Sequence, residues 1–177
     1  MPVEIFFSIK NASSFGKSIW RYAQGFKRKR AEDAYRLSLR AGLLEQEIYD
    51  RTNSLSSKSW EYLGHEVRRL IQALEEFELS YGTVAESLND FNIYSRKMTK
   101  RLEFIRDYVA VREAVLAEQD YSVDDVDYVE AFNSARIGNS DVLLSYATYV
   151  HDGALELVKA TEGLNLTMFL RAICNKN

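Results

Sequence analysis

Seven apolar residues, Trp60, Leu63, Val67, Leu70, Leu74, Phe77 and Tyr81, recur at alternating spacings of three and four. No other feature of the chain restricts its fold so strongly. At 3.6 residues per turn, this spacing lays one apolar stripe along about six turns of α-helix. Such a stripe needs a partner helix, with knobs-into-holes packing as the natural solution. The pattern recurs elsewhere. Ala34, Leu37, Ala41, Leu44 and Ile48 repeat it between about residues 31 and 51. Val84, Leu88, Phe91, Met98, Leu102, Ile105, Val109 and Leu116 form a third seam, interrupted by Ser95 and Arg112. A second stripe beside it, Phe104, Tyr108, Val111 and Val115, widens the apolar face enough for two neighbours. Leu143, Tyr146, Val150, Leu157 and the adjoining Val158 carry the pattern into a last long helix. Against this stand one proline, Pro2, and eight glycines in 177 residues, too few for a turn-rich β-sandwich. The expectation is an all-α protein: an antiparallel bundle of four or five helices, compact or elongated, led by an N-terminal basic amphipathic helix. The chain is long enough to bury a core without disulfides or metal.

Local signals set the boundaries. Thr52-Asn53-Ser54 interrupts the first seam, as a hinge or as a kink in one continuous helix. Gly82 reads as the stop of the second helix, and Thr83 with Glu86 as a capping box opening the third. Asp120-Tyr121-Ser122 reads as a turn, and Ser122 with Asp125 as the cap of a short helix to about Arg136. Gly138-Asn139-Ser140 is the clearest loop, with Gly138 as stop and Ser140 as start. Gly163 sets off a final apolar piece, residues 164–173, suited to a lid helix. The organisation is a basic amphipathic arm over residues 1–30 and a helical bundle domain over 31–177.

Charge is distributed unevenly behind a net value of -3. From Ile5 to Arg30 there are seven basic residues and no acid; from Glu113 to Asp141 there are eight acids against Arg136 alone. A basic front suits phosphates, while the acidic stretch suits a basic partner or the chain's own basic end. Both also suit plain solvation. The single cysteine, Cys174, excludes an intrachain disulfide framework and fits a reducing compartment. No apolar run reaches the roughly 18–20 residues of a membrane span. Glu4 precedes the short patch Ile5-Phe6-Phe7-Ser8-Ile9 and cations follow it, unlike a signal peptide. The expected location is the cytoplasm, or the cytosolic face of a membrane.

Catalytic and metal-binding patterns fail on inspection. Neither His65 nor His151 has a glutamate three residues before it, as a di-iron bundle requires. His65-Glu66 leads to Arg69 where a zinc hydrolase has its second histidine. A calcium loop beginning at Asp120 has Asp125 in place of its glycine and Ala131 in place of its bidentate glutamate. No glycine-rich phosphate loop or Gly-x-Ser-x-Gly elbow occurs. Enzyme is the least supported class, and no cofactor or metal is expected.

The first thirty residues are the most informative about function. On a helix over residues 15–30, Phe15, Ile19, Tyr22 and Phe26 share one face, with Trp20 beside them. Lys10, Lys17, Arg21 and then Lys27-Arg28-Lys29-Arg30 supply cations around it. An interfacial helix requires this combination, with rings entering the acyl boundary and cations meeting anionic head groups. Lys17, Arg21, Lys27, Arg28, Lys29 and Arg30 are therefore the candidate phosphate contacts. Phe15, Ile19, Trp20 and Phe26 are the candidate inserting residues. The competing reading has Trp20 and Phe26 stapling the helix to the bundle. Nuclear import and nucleic-acid contact also fit a four-residue basic cluster. Arg68-Arg69 and Arg96-Lys97-Lys100-Arg101 extend that pattern, but a pI near 5.5 argues against it.

From about Leu63 to Glu118 the chain resembles the helical BAR region of sorting nexins. The resemblance rests on Leu63-Gly64, on Leu70 with Leu74-Glu75-Glu76, and on Leu102–Val109 leading into Val111–Val115. It implies long antiparallel helices that dimerise and associate with curved membranes. The acidic segment Asp120–Glu130 departs from the family's longer arm. The resulting expectation is a non-enzymatic binding protein whose partner is an anionic membrane surface, and a homo-oligomer. The alternative is a soluble protein-interaction or assembly subunit built on the helical seams.

Overall fold

The structure, a computed structural model, describes residues 2–85 and 89–162, with side chains described at Arg21 and across 28–81 and 93–161. Five α-helices account for most of it: α1 (Pro2–Arg51), α2 (Ser57–Ala85), α3 (Asn89–Leu116), α4 (Val129–Ile137) and α5 (Ser140–Glu162). A single 3-10 turn, Val123–Asp125, lies between α3 and α4. Among the described residues there is no strand.

The seams form the core. Ala34, Leu37, Ala41, Leu44 and Ile48 of α1 are buried, as are all seven seam residues of α2. In α3, Met98, Leu102, Ile105 and Val109 are buried with the second stripe Phe104, Tyr108 and Val111, while Val115 reaches the surface. That stripe packs under α4 and against Tyr146 of α5, whose ring stacks on Phe104 at 3.8 Å between centroids. Ser95, an interruption in the seam, is nonetheless buried.

Each of the four long helices touches two others. α1 lies between α2 and α5, and α3 lies between the same two on the far side. Specific bonds fix the directions. The Tyr81 hydroxyl donates to Asp33 (2.6 Å) while Arg51 donates to Ser59, so α1 and α2 are antiparallel. Tyr108 donates to the Asn139 carbonyl and Arg101 to the Tyr149 carbonyl, so α3 and α5 are antiparallel. The result is an up-down-up-down four-helix bundle, with α4 capping one edge of α3.

Several boundaries differ from the sequence reading. The arm and first bundle helix are one element, α1, helical from Pro2 to Arg51. The Thr52–Ser54 signal is a true break: α1 ends at Arg51, and the Trp60 indole donates to the Ser54 carbonyl. Gly82 does not stop α2, which continues through Thr83 to Ala85, so Thr83 opens no helix. Val84 accordingly belongs to α2, α3 is described from Asn89, and Glu86 lies outside the described residues. Ser122 and Asp125 form their capping box, but on the 3-10 turn, and α4 begins only at Val129. Gly138 does end α4, with φ 73° and ψ 25°. Residues 164–173 and Cys174 lie outside the described residues.

Candidate functional site

α1 is 50 residues long, about 75 Å at 1.5 Å per residue. Its register against α5 pairs Glu45 with His151 and Arg30 with Thr161, so the part of α1 before Arg30 runs past the described end of α5. The candidate cations sit at this exit and do not share one environment. Arg21, Arg28 and Lys29 are exposed. Arg28 stands 3.4 Å from Glu32 in an exposed ion pair, worth little in water.

Arg30 is the exception. It is 1% exposed, and its guanidinium donates to the Thr161 carbonyl at the end of α5. Burial pushes its pKa down to about 10, with the neighbouring Tyr81 acting in the opposite direction. Arg30 thus belongs to the core's end layer, unlike its exposed neighbours. A helix advances 100° per residue, so four consecutive cations cannot all face outward. The side chains of Lys17, Lys27, Phe15, Ile19, Trp20 and Phe26 lie outside the described residues; the backbone places all six positions in α1.

The acidic segment stands at the opposite end of the bundle, after the C-terminus of α3. Among the described residues, its acids lie far from Arg21, Arg28, Lys29 and Arg30 at the other end of α1. Asp127 is held by Arg106 at 2.7 Å, and Arg106 also pairs with Asp107. Asp107, buried on α3, accepts from the backbone N–H groups of Asp127 and Tyr128 and so fixes the entry to α4. Asp124 and Asp125 are exposed.

One polar cluster crosses the bundle. His151 Nδ1 lies 2.7 Å from Glu45, and Thr148 donates to the other oxygen of the same carboxylate. The imidazole lies over the α1 backbone at Gly42, where a Cβ would come within 3.1 Å of Nε2. Glycine here lets the ring approach, and the cluster clasps α1 to α5. His65 meets Arg68 at the surface instead. Among the described residues, no three His, Cys, Asp or Glu side chains are placed to hold a metal. No described helix is long and apolar enough to cross a membrane. A surface groove of about 480 Å³ between α1 and α2 is edged by Arg40 and Arg69, but also by Glu47, Glu66 and Glu76, leaving no dominant sign of charge.

The chain matches no family model, no curated protein and no solved structure. Function therefore has to be argued from its own residues. Two sets went unrecognised in the sequence reading. Arg30 lies four residues before Ala34 and continues the seam toward the N-terminus, which marks it as inward-facing. Tyr35, Leu39 and Leu43, at i, i+4 and i+8, are large apolar residues on the side of α1 away from the seam, exposed at 56%, 50% and 67%.

Proposed function

We propose that this protein binds peripherally to anionic membranes through its N-terminal helix and carries out no chemistry itself. The observation that carries the reading is the exposure of Arg21, Arg28 and Lys29 on α1, which is helical from Pro2 to Arg51. Lys17, Arg21, Lys27, Arg28 and Lys29 contact lipid phosphates in this reading, and Phe15, Ile19, Trp20 and Phe26 enter the interface. Arg30 stays with the bundle and holds the helix at its point of exit. Separation of the basic front from the acidic segment supports the same reading, since the acids after α3 stand at the other end of the described bundle.

Co-sedimentation of the full chain with phosphatidylserine-containing and with neutral vesicles, each at two salt concentrations, tests this directly. The expected result is binding to the anionic vesicles alone, weakened by salt because exposed charges are screened. Trp20→Ser lowers the bound fraction by removing an interfacial ring. A parent chain that ignores anionic vesicles at low salt overturns the reading and leaves the assembly subunit in its place.

A further inference from the structure

The exposed face of α1 does not end where the basic front ends. Viewed down the helix, Ala34, Leu37, Ala41, Leu44 and Ile48 point to the core, and the opposite side carries Tyr35, Leu39 and Leu43. The same side carries Arg21, Arg28, Lys29 and Arg36, with Arg40 at its border toward α2, all exposed. Glu32, paired with Arg28, is the one exposed acid among them; half-buried Asp33 accepts from Tyr81 and pairs with Arg36 at 3.5 Å, and Arg40 borders the α1–α2 groove beside Glu47 and Glu76. Past Leu43 the character changes, with Gln46, Glu47 and Asp50 replacing the cations. From Arg21 to Leu43 this face extends about 33 Å.

We propose that this whole outward face lies along an anionic lipid surface, so that the bundle rests on its α1 side instead of hanging from its N-terminus. The inference rests on the membrane reading above and adds the orientation and the second half of the contact. Charge complementarity selects the occupant. Five cations against Glu32 and the half-buried Asp33 leave an excess of positive charge that suits phosphatidylserine-type head groups, and three apolar side chains half or more exposed suit the acyl boundary just beneath. Tyrosine adds a ring that favours that depth.

Other faces fit less well. The outward side of α2 mixes Lys58, Arg68 and Arg69 with Glu61, Glu75 and Glu76. α3 offers Arg96, Lys97 and Lys100, but among its described residues Ile93 is the one large apolar side chain exposed beyond 40%. α3 is also diagonal to α1 in the bundle, so a flat bilayer cannot meet both.

The experiment places single cysteines in the full chain, with Cys174→Ser in every variant, and labels them with a polarity-sensitive fluorophore. The positions are Leu39→Cys and Leu43→Cys on the proposed face, Ile93→Cys on α3 and Leu79→Cys on α2. Phosphatidylserine vesicles should shift the emission of the probes at 39 and 43 to the blue and leave those at 79 and 93 unchanged. A second arm measures vesicle affinity for Arg36→Gln with Arg40→Gln, expected to fall by about thirtyfold at low salt if each cation near the surface is worth ~1 kcal/mol. If the chain sediments with vesicles while the probes at 39 and 43 stay silent, the orientation is wrong and the front-only contact stands. A shift at 93 instead of 39, or affinity of the double variant within twofold of the parent, overturns the proposal equally. A chain that never sediments defeats both readings.

Discussion

Lys29 and Arg30 are adjacent cations with opposite situations, one in water and one 1% exposed beneath Thr161. Lys29→Glu should leave the melting temperature near that of the parent while weakening vesicle binding. Arg30→Glu should destabilise on the order of 3 kcal/mol, because it buries a carboxylate near Asp33 in place of a cation. Thermal melts by circular dichroism separate the two; equal melting temperatures contradict the placement of Arg30. Tyr108 provides a second residue-scale test. Its hydroxyl donates to the Asn139 carbonyl at 2.8 Å, and burial raises its pKa to about 12. The unfolded phenol ionises near 10, so Tyr108's contribution is complete below pH 10 and is lost as pH rises through about 12. The loss is on the order of 2 kcal/mol. Tyr108→Phe should flatten that part of the alkaline stability curve, and an unchanged slope contradicts the assignment. The burial of Tyr108 was readable from its stripe. Its acceptor, 31 residues away in a loop, was not, because spacing carries no information about distant carbonyls.

Helix ends show what local sequence does and does not specify. α4 and α3 finish alike: Asn139 N–H reaches the Ser134 carbonyl around Gly138, and Gln119 N–H reaches the Ala114 carbonyl around Glu118. Both turning residues have positive φ, 73° at Gly138 and 55° at Glu118. A left-handed conformation is strained for a residue with a Cβ and free of that strain for glycine. Glu118→Gly should therefore stabilise by roughly 0.5–1 kcal/mol, and Gly138→Ala should cost about 1 kcal/mol or more, since its Cβ also meets the Arg112 guanidinium at 3.2 Å. Denaturant melts showing the same sign for both would contradict the common geometry. Gly138 was legible because loop residues follow it. Gly82 carried the same signal and misled, because α2 continues through it to Ala85 despite the ~1 kcal/mol a helical glycine costs. The seams were the most legible part, since every predicted seam residue from Ala34 to Tyr81 is buried. Leu70 and Leu102, 2% and 0% exposed, sit mid-seam. Truncating either to alanine should cost ~2–5 kcal/mol, and an unchanged denaturation midpoint would refute its place in the core.

At the scale of the whole molecule, the basic stretch of α1 and the acidic segment after α3 stand at opposite ends of the described four-helix bundle. The sequence showed both charge blocks but not their separation, which follows from α3 running parallel to α1 and delivering residues 117–128 to the far end. In the proposed reading this separation leaves the front to meet an outside surface. The arrangement also changes how the basic cluster has to be tested, because reversing all four residues 27–30 would damage the fold through Arg30. The direct measurement is the affinity of the full chain for phosphatidylserine vesicles compared with that of Lys27→Glu, Arg28→Glu and Lys29→Glu combined, with Arg30 retained. At ~1 kcal/mol per cation near the surface, three reversals should lower affinity by more than about a hundredfold, while the circular dichroism spectrum and melting temperature stay those of the parent. Equal binding of the parent and this triple variant, with both folded, would contradict the claim that the N-terminal helix is a membrane-contacting element.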